Sequence, residues 1–183
     1  MTAVLFVDFE ASSLSLSASY PIEAAWLQID AATGEPLAEL ESYLIRPATS
    51  WTDWSPESEK VHRIRRDLLE KRGKPISVVA RKLLAATEVC GGVIVSDSSW
   101  DEVWARQLLE AAVMDPHALR WEASSNALAR AMGTPLATVS RLYQEILPQM
   151  PKPKHRAGAD VLRARALWQL CLEARWSVDD TGT

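Results

Sequence analysis

The run Val4-Leu5-Phe6-Val7-Asp8-Phe9-Glu10 constrains the fold of this chain more than any other stretch. Its four consecutive apolar residues predict a strand that is covered on both faces, as a central strand is. Because side chains alternate along a strand, Asp8 and Glu10 point to the same face. Two neighbouring carboxylates beside an apolar core repel each other and lose hydration, which a divalent cation such as Mg²⁺ or Mn²⁺ relieves best. The same pattern also fits two polar residues that close a strand before a turn.

The periodicity of apolar residues predicts how the remaining chain is organised. Three strands come first, and helices then alternate with short strands, which is typical of an α/β or α+β domain with a mixed sheet. The second and third strands are predicted as a hairpin that pairs back on a central first strand. Predicted strands span 3–9, 22–29, 37–45, 93–95 and 119–121, and predicted helices span 57–70, 76–89, 100–114, 124–132, 136–147 and 157–176.

Length and composition bound the class of protein. The 183 residues, 48% hydrophobic and 24% charged, predict one globular domain over 1–176 with a flexible polar tail over 177–183. No apolar run is long enough to span a membrane, and the N-terminus lacks the basic start of a signal peptide, so no membrane partner is expected. Cys90 and Cys171 make no disulfide framework or metal spacing, which favours a reducing cytoplasm. The net charge of −4 argues against a protein that coats duplex nucleic acid, but not against a nucleic-acid enzyme.

Two further sites carry candidate catalytic residues. In the first, a short buried strand ends at Val95, a polar turn follows, and Asp101 opens a helix that Ser98 or Ser99 can cap. The alternative is that Asp97 or Asp101 is simply an acid favoured by the helix dipole. In the second, His155 lies on a proline-rich loop and Asp160 falls in the first turn of the last helix. An exposed His and an ordinary helix-start Asp remain the alternative there.

Taken together, Asp8-x-Glu10, Asp101 and His155-x4-Asp160 resemble the three exonuclease motifs of the DEDDh family, the DnaQ-like 3′→5′ exonucleases. The resemblance runs from Val4 to Leu170 and includes two supporting segments, Pro21-Ile22-Glu23 and Val61-His62-Arg63-Ile64. The chain departs from the family in three places. Ala11-Ser12-Ser13-Leu14 stands where Thr and Gly are usual, Ser96-Asp97 stands where His-Asn is frequent, and Arg63 replaces a Gly.

The resemblance implies a fold and a mechanism. The fold would be α/β and ribonuclease H-like, with a central mixed five-stranded sheet and helices on both faces. Asp8, Glu10, Asp101 and Asp160 would hold two Mg²⁺ ions, for which Mn²⁺ can substitute, and His155 would be the general base. The substrates would be single-stranded DNA or RNA 3′ ends or short oligonucleotides, and the products nucleoside 5′-monophosphates.

Substrate contacts are expected on both sides of this centre. The backbone from Ala11 through Ser12 and Ser13 would touch the terminal nucleotide, and Leu14 would pack under a base. Trp51 and Trp54 either stack on bases or pack their loop on the core. Lys152, Lys154 and Arg156 would meet phosphates. Arg63, Arg65 and Arg66 form a second basic cluster, and a solvated helix face is the more usual explanation for such runs. The candidate substrate-binding residues are Ala11, Ser12, Ser13, Leu14, Trp51, Trp54, His62, Asp97 and Lys154, of which His62 also fits a structural role.

Three functions are therefore compared. The first is the exonuclease, with proofreading, RNA trimming and oligonucleotide turnover left open. The second is a catalytically weak nucleic-acid-binding protein of the same fold, and the third is an unrelated metal-dependent hydrolase of small phosphoesters. The full acidic set favours the first. A homodimer is compatible with the family, some of whose members are dimers and others polymerase subunits.

Overall fold

The computed structural model describes residues 2–15, 17–91 and 93–179, with side chains described as far as residue 174. Five strands form one mixed sheet in the order β3-β2-β1-β4-β5. The β1–β2 and β2–β3 pairs are antiparallel, and β1–β4 and β4–β5 are parallel. The strands are β1 Ala3–Ala11, β2 Pro21–Asp30, β3 Glu41–Leu44, β4 Val93–Ser96 and β5 Arg120–Ala123.

Seven α-helices surround the sheet within the described part of the chain. A 3₁₀ turn, Leu147–Gln149, follows the sixth of them. The helices are α1 Pro56–His62, α2 Arg66–Arg72, α3 Ile76–Val89, α4 Ser99–Ala111, α5 Ser124–Met132, α6 Leu136–Ile146 and α7 Ala157–Asp179. Among the described residues, no helix has both the length and the apolar character needed to cross a membrane.

The two faces of β1 pack against different helices. Val4 and Phe6 face α5, α6 and α7, where the Trp168 ring meets Phe6 edge-on with a centroid distance of 5.5 Å. Leu5 and Val7 face α3 and α4. Because β1 is covered on both faces, an uninterrupted apolar run suits it. The predicted mixed five-stranded sheet, with a central first strand and helices on both faces, is confirmed.

The largest differences from the predicted boundaries are in the third strand and in the helix predicted over 57–70. The third strand covers only Glu41–Leu44 rather than 37–45, because Pro36 makes an isolated bridge to Ile29 and the exposed residues after it leave the sheet. The helix predicted over 57–70 is two helices. Arg63, with φ 59°, ends α1 in the left-handed conformation, and its backbone N–H donates to the Glu59 carbonyl. This turn lets the chain bury both His62 and Ile64, which a continuous helix would point in different directions.

The last helix extends past its predicted end at Trp176 to Asp179. Residues 180–183 of the predicted tail lie outside the described residues. The two cysteines are free thiols, half-buried at Cys90 and buried at Cys171.

Candidate active site

The carboxylates of β1 project from the face that α7 covers. Asp8 and Glu10 continue the alternation of Val4 and Phe6, and both are half-buried in a strand whose interior is otherwise buried. They lie at the carboxyl end of β1, beside the parallel neighbour β4, where ligands bind in open α/β sheets. The period-two pattern of the strand therefore aims both side chains at the start of α7, as their spacing predicts.

The loop before α7 brings a second set of groups to the same place. Asp160 accepts hydrogen bonds from the backbone N–H of Lys154 (3.0 Å) and of Arg156 (3.3 Å), which closes the loop around the exposed His155. His155 has φ 52°. One possible ligand atom each from Glu10, His155 and Asp160 lie within 4.8 Å of one another. Residues from the two ends of the chain thus form a candidate metal cluster.

Asp101 lies beneath this cluster, in the first turn of α4. Its side chain is 2% exposed, and one carboxylate oxygen accepts from the Phe9 backbone N–H at 3.1 Å. The other oxygen accepts from the Ser96 hydroxyl. Ser98 caps α4 by accepting from the Trp100 N–H, 3.2 Å away. Asp101 is beside the end of the first strand, but it is not one of the described residues that line the open cleft.

The carboxylates strongly perturb one another. Burial, followed by the charges of Asp101, Glu10 and Asp160, raises the pKa of Asp8 well above its ordinary value. Burial, followed by Asp160 and Glu23, raises the pKa of Glu10 to about 8. Burial raises the pKa of Asp101 to about 7. Oxygen ligands with this much unrelieved negative charge fit Mg²⁺ or Mn²⁺, because a bound cation offsets the repulsion that protons otherwise offset.

An open cleft of about 550 Å³ leads to these groups. Leu14, 75% exposed, and Val61, 49% exposed, present apolar surface along it. Of the predicted substrate-binding residues, the structure brings five to the cleft wall: Ala11, Ser13, Leu14, His62 and Asp97.

His62 has a defined hydrogen-bonding state. It is 2% exposed, and its Nδ1 accepts from the Ile64 backbone N–H at 3.0 Å, so the hydrogen of the neutral ring is on Nε2. Burial lowers the pKa of His62, which keeps the ring neutral. Its Nε2 is buried and has no partner among the described residues. His62 therefore offers one free donor at the cleft wall.

The other four predicted substrate-binding residues have different surroundings. Ser12 is buried, donates to Asp53 (3.3 Å) and accepts from the Tyr20 N–H (3.1 Å). The Trp51 ring stacks on Tyr20, with centroids 5.1 Å apart and planes 17° apart. Neither Ser12 nor Trp51 is among the described residues of the cleft wall.

Trp54 and Lys154 lie outside the same set of cleft-lining residues. The Trp54 indole N–H donates to Glu59 at 2.7 Å, and its ring meets His62 edge-on with centroids 6.0 Å apart. Lys154 is exposed and contributes its backbone N–H to Asp160. Both tryptophan rings therefore contact side chains of the protein itself.

Glu23 is a part of the site to which the sequence assigned no role. It lies in β2, opposite Glu10, and is 3% exposed. It accepts from Arg156 Nε (3.0 Å) and Nη2 (2.6 Å) and from the Ala157 backbone N–H (3.0 Å). Arg156, predicted to meet phosphates, therefore pairs with Glu23. The available signal was a glutamate inside the strand predicted over 22–29, whose other residues are apolar except Gln28, since a buried charge requires a partner.

Comparisons with known proteins give a fold but no sequence family. No family model matches this chain, and a search of curated proteins finds no match. Its structure matches the zinc-bound complex of Escherichia coli exonuclease I with single-stranded DNA (TM-score 0.74, 16% identity), covering 99% of this chain and 42% of that one. The complex of the same enzyme with a dT13 oligonucleotide matches with a TM-score of 0.74 and 15% identity, covering 99% and 43%.

A moderately thermophilic exonuclease I from Methylocaldum szegediense matches with a TM-score of 0.73 and 15% identity, covering 94% of this chain and 41% of that one. This chain thus spans less than half the length of the exonuclease I chains it resembles. At these identities the likeness shows the fold, and the predicted ribonuclease H-like α/β fold is confirmed.

Proposed function

We propose that this chain is a metal-dependent 3′→5′ exonuclease that releases nucleoside 5′-monophosphates from single-stranded DNA or RNA. The observation that carries the proposal is the convergence of acids from three distant segments, with one histidine, at the end of β1. Glu10, Asp160 and His155 line an open cleft, and the half-buried Asp8 lies with them. The solved structures named above, which share the fold, are exonucleases, and they include complexes with single-stranded DNA and with a dT13 oligonucleotide.

The acidic residues would hold the cations. Two Mg²⁺ or Mn²⁺ ions at this centre would activate the attacking water and stabilise the leaving 3′ oxygen. Asp8, Glu10 and Asp160 would be the ligands that face the cleft. Asp101 would be the fourth carboxylate ligand, on the buried side of the site. Its hydrogen bond from the Phe9 N–H also fixes the backbone between Asp8 and Glu10.

His155 would act as the general base. Its loop holds an imidazole nitrogen within 4.8 Å of ligand oxygens of Glu10 and Asp160, where an attacking water would lie. Imidazole is the side-chain group that most often serves as a general base in catalysis. His155 would take that proton from the water and release it to solvent, since the side chain is exposed.

The cleft wall would hold the terminal nucleotide. The apolar side chains of Leu14 and Val61 would pack against a base in the cleft. The unpartnered Nε2–H of His62 would donate one hydrogen bond to the same nucleotide, which would remove a buried unsatisfied donor. The backbone of Ala11 and Ser13 would lie against its sugar.

A catalytically weak nucleic-acid-binding protein of the same fold is the alternative. One observation favours it: both oxygens of Asp101 already accept hydrogen bonds from the protein. A site with three facing carboxylates rather than four would hold the second cation less tightly.

The deciding experiment is a time course with 5′-labelled single-stranded DNA and RNA in Mg²⁺, Mn²⁺ or EDTA. We expect a ladder that shortens from the 3′ end, that EDTA abolishes and that Asp8→Asn reduces by about a thousandfold or more. The control is Asp115→Asn, because within the described part of the chain the exposed Asp115 side chain accepts one hydrogen bond, from the His117 N–H, and an amide oxygen can accept it too. No shortening by the folded wild-type protein in either metal would refute the exonuclease and leave the binding protein.

A further inference from the structure

We infer that Glu23 and Arg156 form a positioning pair that holds the His155 loop over the cleft. The inference rests on the proposed function, because it assigns the pair a role in that reaction. All hydrogen bonds that Glu23 makes through its side chain in the described structure go to the start of α7: two from the Arg156 guanidinium and one from the Ala157 N–H. A β2 side chain thus fixes the two residues that follow His155.

The loop is held from two sides. Asp160 accepts from the backbone N–H groups on either side of His155, and Glu23 holds the Arg156 side chain and the next N–H. Between these anchors, His155 adopts φ 52°, a left-handed conformation that β-carbon sterics disfavour. Such a conformation persists only where its surroundings impose it. Release of the Glu23 anchor would let the backbone at His155 relax and carry the imidazole away from Glu10.

Stability alone does not account for the pair. Glu23 is buried and Arg156 is half-exposed, and such a pair contributes little net stability, because the hydration that Glu23 loses offsets the Coulomb attraction. Glu23 is also placed where its charge is unfavourable: after burial and other carboxylates, it contributes to the raised pKa of Asp8 and Glu10. A bidentate Arg–carboxylate pair does offer fixed geometry, since two parallel hydrogen bonds define the orientation of the guanidinium. Geometry at the loop is therefore the property that this arrangement supplies.

The experiment uses two variants that change the pair without removing bulk. Glu23→Gln removes the charge and one acceptor, and Arg156→Lys keeps the charge but loses the two-pronged geometry. The control is Glu122→Gln, because Glu122 of β5 forms a bidentate pair with Arg130 of α5 away from the cleft, although this pair is more exposed.

The first measurement is steady-state kinetics in Mg²⁺. Since small misplacement of a catalytic group reduces the rate strongly, we expect either variant to lower kcat by about tenfold to a hundredfold with KM nearly unchanged. The double variant should lower kcat no more than the more damaging single variant does, because both substitutions disrupt the same ion pair. Glu122→Gln should match wild type.

The second measurement is independent of activity. The chain has only three histidines, so imidazole NMR signals can be assigned with His62→Gln, His117→Ala and His155→Ala. Small additions of Mn²⁺ should broaden the His155 signal strongly in wild type and much less in Glu23→Gln and Arg156→Lys. The spectrum of the metal-free protein also shows whether each variant is folded.

The outcomes separate the two proposals. Folded Glu23→Gln and Arg156→Lys proteins with wild-type kcat and wild-type Mn²⁺ broadening of His155 would overturn the positioning pair, while wild-type activity would leave the exonuclease standing. A wild-type protein without nuclease activity would overturn the exonuclease, and the NMR measurement would still decide whether the pair holds His155. If Glu23→Gln does not fold, Arg156→Lys decides alone. If neither folds while Glu122→Gln does, the pair is an element of stability and the inference fails.

Discussion

The backbone N–H of Phe9 donates to the Asp101 carboxylate across 3.1 Å, and this bond fastens the first turn of α4 to the residue between Asp8 and Glu10. The bond draws a third acid under the two acids of β1. It explains why Asp101, although buried, lies close enough to be the largest source of charge repulsion that raises the pKa of Asp8.

This crowding predicts that the metal-free protein loses stability as the pH rises. The folded protein binds protons at Glu10 until about pH 8 and at Asp101 until about pH 7, whereas unfolded carboxyls release theirs near pH 4. Between these limits the folded state holds more protons than the unfolded state, so the free energy of unfolding falls with increasing pH. In EDTA, Tm should be about 5 °C or more lower at pH 8 than at pH 5.

Two additions test the cause of that pH dependence. Mg²⁺ at pH 8 should restore much of the lost Tm, and Glu10→Gln should flatten the dependence on pH. An unchanged Tm between pH 5 and pH 8 in EDTA would contradict the electrostatic description of the site.

Replacement of His155 should affect the rate rather than cation binding. A general base typically contributes about a hundredfold to ten-thousandfold, so His155→Ala should lower kcat by that factor. The Mn²⁺ affinity should change little, because the carboxylates remain. His117→Ala is the control, since His117 is exposed on the turn before β5. Equal effects of the two substitutions on kcat would remove His155 from its assigned role.

Substitutions at Leu14 and Trp51 should distinguish a residue that contacts substrate from a residue that packs inside the protein. Leu14 is 75% exposed, so Leu14→Ala should leave Tm unchanged while raising KM for single-stranded DNA about tenfold through lost contact with a base. Trp51→Ala should lower Tm by several degrees, because the ring stacks on buried Tyr20. The reverse pattern, weaker DNA binding by Trp51→Ala at unchanged stability, would place that ring on the substrate path.

Gly73 should tolerate no side chain. A Cβ there would lie 2.5 Å from the Arg46 backbone nitrogen and 2.8 Å from its Cα, so Gly73→Ala should destabilise the protein by about 1–3 kcal/mol. Gly158→Ala is the matched comparison. A Cβ at position 158 would meet Leu40 and Ser42 at 3.5 Å, which is an ordinary contact distance. Because alanine suits a helix better than glycine, Gly158→Ala should raise the free energy of unfolding by about 0.5–1 kcal/mol. Urea unfolding measures the free energy of unfolding of both variants. Equal effects would show that the backbone of Arg46 moves freely to accommodate a Cβ at position 73.

The sequence predicted those parts of the fold that depend on periodicity. The first strand, the hairpin and the helix Ile76–Val89 follow from apolar spacing along one segment. The break at Arg63 could not be predicted, because it depends on where His62 and Ile64 are buried. Propensity within a segment carries no information about the surface on which that segment packs.

The site divides in the same way. The five proposed catalytic positions follow from a resemblance in residue type and order, and Asp8 and Glu10 share a face because strand geometry requires it. The position of Trp54 and the role of Glu23 depend on partners elsewhere, Glu59 and Arg156, that side chains meet only after folding. In the sequence, the aromatic side chain of Trp54 was equally compatible with stacking on a base and with packing its loop on the core.

The proposed catalytic groups come from opposite ends of the chain. The β1–β2–β3 meander uses only residues up to Leu44, whereas His155 and Asp160 arrive with α7. During synthesis the N-terminal strands emerge first and the last helix emerges last. A nascent chain on the ribosome, close to cellular RNA, therefore carries Asp8 and Glu10 without the base or the facing acid. Under the proposed function, nuclease activity therefore requires synthesis to continue past Asp160, and a chain that stops before residue 155 lacks it.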